Sequence, residues 1–131
     1  MKELHFIIYG DPKGKKNSQS IIRVGGRLMI IQGKVYRVYE ETAKKYVPKL
    51  ARPLSGPVNV KALFYRRERR NVDLTNLLEA LDDVLVKYGV LADDGRDVLA
   101  SHDGSLVLWD KENPRTDVTI SGKEDYEQWK K

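Results

Sequence analysis

The sequence predicts a single domain of mixed α/β class (α+β), a mixed β-sheet with two main helices packed on it, and three observations carry that expectation. The chain has 131 residues, enough for one sizeable core and too few for two ordinary ones, so residues 1–131 read as one domain. Between Leu74 and Tyr88 the apolar residues recur at helical spacing: Leu74, Leu77, Leu78, Leu81, Val84, Leu85 and Tyr88 fall on one stripe that must face a core. Around that helix stand short apolar runs with strand alternation, punctuated by glycine and proline and free of internal repeats.

Taken in order, Leu4 to Gly10 is apolar on both faces, the pattern of an interior strand, and is expected near the centre of the sheet. Asp11 to Ser20 is rich in Lys, Gly, Ser and Asn and reads as an exposed loop, either solubilising or in contact with phosphate. Gly25-Gly26 between Ile21–Val24 and Arg27–Ile31 signals a tight hairpin. From Val35 onward, Tyr36, Tyr39, Ala43, Tyr46, Val47 and Leu50 keep helical spacing, and Pro48 ends or bends that helix near Val47. Its three tyrosines are expected in the core. Arg52 to Pro57 is a connector into a strand over Val58–Tyr65. After the central helix, Gly89 supplies a left-handed cap that turns the chain back. Short strands are expected at Val98–Ala100, Leu106–Trp109 and Asp117–Ser121, with breaks at Asp103-Gly104 and Asn113-Pro114, and Lys123–Lys131 reads as a short helix or a tail.

Twenty-four Lys and Arg stand against nineteen Asp and Glu, a net charge of +5, which favours a polyanionic partner. The excess is local: Lys13, Lys15, Lys16, Arg23, Arg27, Lys34 and Arg37 face Asp11 alone between Gly10 and Arg37. A second cluster, Arg66, Arg67, Arg69 and Arg70 with Glu68, closes the strand before Asp73. It is either a solvated strand end or a phosphate clamp, for which guanidinium groups are suited. With no cysteine, disulfides and thiolate metal sites are excluded. His5 and His102 are the only histidines and neither sits in a nucleophile motif, so Ser/His/Asp chemistry has no support. The apolar run Phe6–Tyr9 is too short for a signal core, and nowhere do about 20 apolar residues run together as a membrane span requires. The expectation is a soluble, cytoplasmic protein.

The chemistry concentrates on the central helix. Asp73 precedes its first turn, Asn76, Glu79 and Asp83 lie at three- and four-residue spacings away from the apolar stripe, and Asp93 and Asp94 return after Gly89. Carboxylate oxygens without Cys and almost without His suit Mg²⁺, with Mn²⁺ as an alternative. An ion held by Asp73 and Asp94, completed by Asp83 and Glu79, would activate water for phosphodiester hydrolysis. The plainer reading makes Asp73 a helix N-cap, Glu79 and Asp83 solvated helix residues, and Asp93-Asp94-Gly95 a turn.

The run Arg-Asn-Val-Asp-Leu-Thr-Asn-Leu-Leu-Glu-Ala-Leu-Asp-Asp-Val-Leu, followed by Gly-Val-Leu-Ala-Asp-Asp, resembles the RusA family of Holliday-junction resolvases, common in phages and prophages. The family pattern is Asp-x-Asp-Asn, a Lys three residues after the Asn, an Asp four further on, and a late Asp-Asp. Asp73, Asn76, Asp83 and Asp94 match it; Thr75 stands at the second Asp and Glu79 at the Lys, marking a divergent subgroup. The resemblance implies a RusA-like fold and a metal-dependent endodeoxyribonuclease, a homodimer that resolves four-way junctions by paired symmetric nicks in recombination and repair. It implies Asp73, Asp94 and Asp83 as catalytic and metal-binding residues; Glu79, outside the family pattern, is the further candidate to complete that set, with Thr75, Asn76 and Asp93 in support. Lys13, Lys15, Lys16, Arg23, Arg27, Arg66, Arg67, Arg69 and Arg70 are then the DNA contacts. Glu79 is expected to reach back and replace the ligand lost at Thr75. The alternative is a catalytically inactive relative that binds branched DNA without cleaving it.

Overall fold

The computed structural model describes residues 1–15 and 19–129. Along the chain run β1 (Leu4–Tyr9), β2 (Gln19–Val24), β3 (Arg27–Gln32), α1 (Lys34–Ala43), β4 (Val58–Arg66), α2 (Leu74–Lys87), β5 (Leu99–Ser101), β6 (Leu106–Trp109), β7 (Arg115–Gly122) and α3 (Tyr126–Trp129). Alternation sets the sheet. Val58, Val60, Ala62 and Phe64 of β4, and Thr116, Val118 and Ile120 of β7, all turn to one buried face. On that face they join Leu77, Leu81, Val84 and Leu85 of α2 in one core, each such side chain contributing roughly 1.5–3 kcal/mol by leaving water. The predicted α+β domain is the one observed.

β4 is the strand the site depends on. On one edge it pairs antiparallel with β7; on the other it pairs parallel with β5 at Val58–Asn59 and then with β6 at Leu63–Arg66. Between those two short partners the edge has a gap, where backbone groups would otherwise go unpaired. Side chains from the β5–β6 turn fill it: His102 Nδ1 donates to Val60 O at 2.8 Å, and Ser105 Oγ accepts from Ala62 N at 3.0 Å.

Three expectations need correction. β1 is not central: it lies at the sheet edge, pairing with β7. Leu4, Phe6 and Ile8 face the core, while on the other face Tyr9 makes a T-shaped contact with Tyr46, the ring centres 5.3 Å apart. That contact also corrects the third core tyrosine, since Tyr46 is exposed whereas Tyr36 is buried and Tyr39 packs against the core. α1 stops at Ala43, short of Val47, and the turn after it accommodates Pro48. The glycine hairpin is present: Gly25 and Gly26 take φ of 56° and 79°, the two left-handed residues of a hairpin turn whose twist matches its strands. β2 and β3 form a separate two-stranded sheet. Between β6 and β7 the chain forms a structural loop, in which Asp110 accepts from the Glu112 and Asn113 amides and from Arg115 Nη1 at 2.8 Å. Arg115 leads the contacts that hold the Asp110 carboxyl below its ordinary value.

Candidate active site

α2 begins where the sequence places it. Asp73 has extended backbone, and its Oδ1 accepts from the Thr75 amide at 3.0 Å and the Thr75 hydroxyl at 2.6 Å. It therefore caps the first turn, and one of its oxygens is committed to that task. At the other end Gly89, with φ 78°, closes the helix as the Val90 amide returns to Leu85 O at 2.8 Å. Leu54 then ties the returning chain by accepting from Ala92 and donating to Val90 O, and the Asp93-Asp94 turn follows at once.

The polar residues of α2 divide between two sides. Asn76 is buried rather than on an open face, packed so closely on Gly14 that a Cβ there would stand 2.7 Å from its Cγ. Asp83, two turns on, pairs with Lys15, whose ammonium also lies 5.6 Å from the centre of the Tyr36 ring. This side of the helix is therefore sealed by the Asp11–Lys15 loop. The loop is itself anchored: Lys13 pairs with Asp11 at 3.0 Å, and Asp11 Oδ1 accepts from the Arg67 amide at 2.8 Å.

The other side opens into a cleft of about 240 Å³ lined by Thr75, Leu78, Glu79, Asp82, Asp94 and His102. Thr75, Glu79 and Asp82 are four and three residues apart, so they stack on one helical face; the Gly89 turn brings Asp94 and the β5–β6 turn brings His102. Asp82 Oδ2 lies 3.0 Å from His102 Nε2. The other ring nitrogen bonds a carbonyl, which can only accept, so Nδ1 carries a proton. The contact with Asp82 then needs a second proton, on Nε2 or on the carboxyl. Both groups favour keeping it. Burial raises the Asp82 carboxyl, with Asp94 and Asp83 adding to the rise and His102 opposing it; burial lowers His102, but the hydrogen bond and charge of Asp82 and the Val60 carbonyl outweigh it. The geometry therefore places one proton between the two groups. The second oxygen of Asp82, Oδ1, is buried with no hydrogen-bond partner among the described residues.

Of the residues proposed from sequence, the structure thus brings Glu79, Asp94 and the supporting Thr75 together. Asp73 bonds the cleft-lining Thr75, Asp83 is engaged by Lys15, Asp93 is exposed on the turn and Asn76 supports the basic loop. Sequence pattern does not single out Asp82 or His102 as site residues, although the i, i+4, i+7 spacing of Thr75, Glu79 and Asp82 is a readable signal. Among the basic residues, Arg66 Nη1 donates to Arg70 O at 2.6 Å, Arg67 and Arg70 are exposed, and the Arg69 guanidinium lies over Trp109. Arg23 and Arg27 flank the hairpin turn, and Lys16 lies outside the described residues.

The donors fit a hard divalent cation: Glu79, Asp82 and Asp94 offer only oxygen, and Asp82 Oδ1 is an orphaned buried acceptor. Among the described residues, no group of three or more His, Asp or Glu side chains is gathered in the arrangement of a metal site. Among them too, no helix is long and apolar enough to cross a membrane.

A family model described as "Endodeoxyribonuclease RusA" matches residues 10–121. The match includes the basic loop, α2, the Asp94 turn and His102. No curated protein matches the chain.

Proposed function

The chain belongs to the RusA family of endodeoxyribonucleases, and from that premise we propose that it nicks four-way DNA junctions with the help of a divalent cation, Mg²⁺ or Mn²⁺, held at the acid cleft. The observation that carries the reading is the cleft itself, lined by Glu79, Asp82 and Asp94 on one side of α2. Glu79 and Asp94 with the orphaned oxygen of Asp82 would hold the ion, which when bound supplies an activated water and neutralises charge on the phosphate. Glu79 is exposed and long enough to move, so it can occupy the place of the acid missing at Thr75. Thr75 itself fixes Asp73 at the rim. Lys13 shares a groove with Arg66 and Arg70 away from the acid cleft, and these with the exposed Arg67 and Arg69 would pair with backbone phosphates. Paired symmetric nicks call for two sites related by a two-fold axis, so the working unit is a homodimer.

One observation favours a second reading, a junction binder without cleavage: Asp73 Oδ1 and the Asp83 carboxylate are engaged by the protein's own Thr75 and Lys15. Incubation of the purified chain with a labelled four-way junction and a matched duplex, with and without Mg²⁺, separates the two. Symmetric nicks that require the metal support the nuclease; tight junction binding without any nick supports the binder.

A further inference from the structure

On the far side of Asp73, the segment between β4 and α2 faces β6 across a second cleft, of about 410 Å³. Proteins hold small ring-bearing ligands in spaces of roughly 300–1,000 Å³. Arg66, Arg69 and Arg70 line it against a single acid, Glu68. Its far wall is Trp109, which is 44% exposed yet firmly held. The indole Nε1 donates to Arg67 O at 2.9 Å, and β6 is pinned by the Arg66–Trp109 register with β4 and by the Asp110 amide on Arg66 O at 2.8 Å. The Arg69 guanidinium already lies 4.1 Å from the ring centre, the position of a stacked planar group. Also lining the cleft, Arg66 has its Nε buried with no hydrogen-bond partner among the described residues.

A fixed, exposed ring beside several guanidinium groups and an unused buried donor matches one ligand chemistry: a flat base joined to a phosphate. An acidic peptide would use the cations and leave the ring idle. In a duplex the base faces are covered by their neighbours, whereas at a branch point or in a single strand they are free. We infer that this cleft takes one unstacked nucleotide of single-stranded DNA, its base on Trp109 and its phosphate on Arg66 and Arg70. Exposed Arg69 swings from the ring toward the same phosphate as the base arrives. Val72 lines this cleft and Thr75 the acid cleft, so a strand held here runs on toward the carboxylates. The inference rests on DNA being the substrate but not on cleavage, and its test needs no metal.

The sequence has two tryptophans, Trp109 and Trp129, so a full-length Trp129→Phe variant reports on Trp109 alone. In EDTA, an oligothymidylate of about eight nucleotides, within the span such grooves cover, is expected to quench its emission saturably, and an equal-length duplex is not. With labelled oligonucleotide and anisotropy detection, Trp109→Ala is expected to weaken single-strand binding about 5- to 150-fold, the loss of one base–aromatic stack. Trp109→Phe, which keeps a ring and loses the Nε1 bond, is expected to retain most of the affinity. Far-ultraviolet circular dichroism and unchanged duplex binding establish that each variant is folded. Equal quenching by duplex, wild-type affinity in Trp109→Ala, or an equal loss in Trp109→Phe would each overturn the inference, the last by reducing Trp109 to a structural pin. A chain that binds this oligonucleotide through Trp109 but leaves junctions uncut would reject the nuclease reading alone.

Discussion

The Asp82–His102 pair gives a prediction that distinguishes a held proton from an ordinary surface contact. In His102→Leu, Asp82 loses the partner of Oδ2 while Oδ1 is already unpartnered, and Val60 O loses its 2.8 Å donor. Removing one member of a fully buried pair costs about 3–5 kcal/mol. Here the side chains of Asp82 and His102 remain 15% and 23% exposed, so some water reaches them and the expected loss is about 2–3 kcal/mol. For a chain of this size that lowers Tm by about 8–12 °C. The loss must also vary with pH. Because His102 is raised above its ordinary 6.5, its contribution is complete below that value and is lost as pH rises through the folded-state value. Asp82 is raised above 3.8, and without His102 it rises further, so the variant is relieved in acid by protonating Asp82. The difference from wild type should therefore be greatest near neutrality and shrink on both sides. Urea unfolding of both proteins across the acid-to-alkaline range measures it directly. A difference below about 0.5 kcal/mol, the range of an ordinary surface change, or one flat with pH, would refute the shared proton. Replacing both residues by Leu should recover most of the loss, since apolar substitution of a whole buried pair is often close to neutral.

Three further outcomes follow from the cleft and its supports. Asp94→Asn should abolish metal-dependent junction nicking while junction binding by gel shift stays equal or tightens; nicking near the wild-type rate removes Asp94 from the site. Glu79→Gln should slow single-turnover cleavage by about 100-fold or more, the scale of losing a charged stabilising group, with stability changed by no more than about 0.5 kcal/mol; an unchanged rate and metal dependence would make Glu79 plain surface. Gly14→Ala drives a Cβ to 2.7 Å from Asn76 Cγ, an overpacking expected to cost about 1–3 kcal/mol and visible as a lowered Tm; an unmoved Tm would mean the loop does not rest on α2 as described.

The sequence made α2 legible because its buried stripe repeats at the helical period, and the period alone fixes which side faces the core. Its caps were legible for the same local reason: Asp73 and Gly89 act within one turn of where they stand. The position of β1 was not, because alternation reports which faces are apolar and says nothing about which strand lies alongside. His102 was equally hidden. Its place follows from a gap on the β4 edge between two short parallel partners, and that gap exists only once β5 and β6 have paired.

The choice between Asp82 and Asp83 shows most clearly where local reasoning stops. Neighbours on a helix point about 100° apart, so the two carboxylates must face different surroundings, and nothing within α2 says what those surroundings are. One is supplied by a loop some seventy residues earlier in the chain, which puts Lys15 on Asp83; the other by a turn that follows the helix, which puts His102 on Asp82. Each aspartate is thereby given a positive or proton-bearing partner. Glu79, three residues before Asp82 and four before Asp83, stands between the two sides and has no ion-pair partner among the described residues. It is the acid on this face least committed to holding the protein together, and hence the one freest to move onto a ligand. Glu79, which stands where the resembled pattern carries a Lys, therefore keeps a carboxylate that the fold leaves available, as does the exposed Asp94 of the following turn.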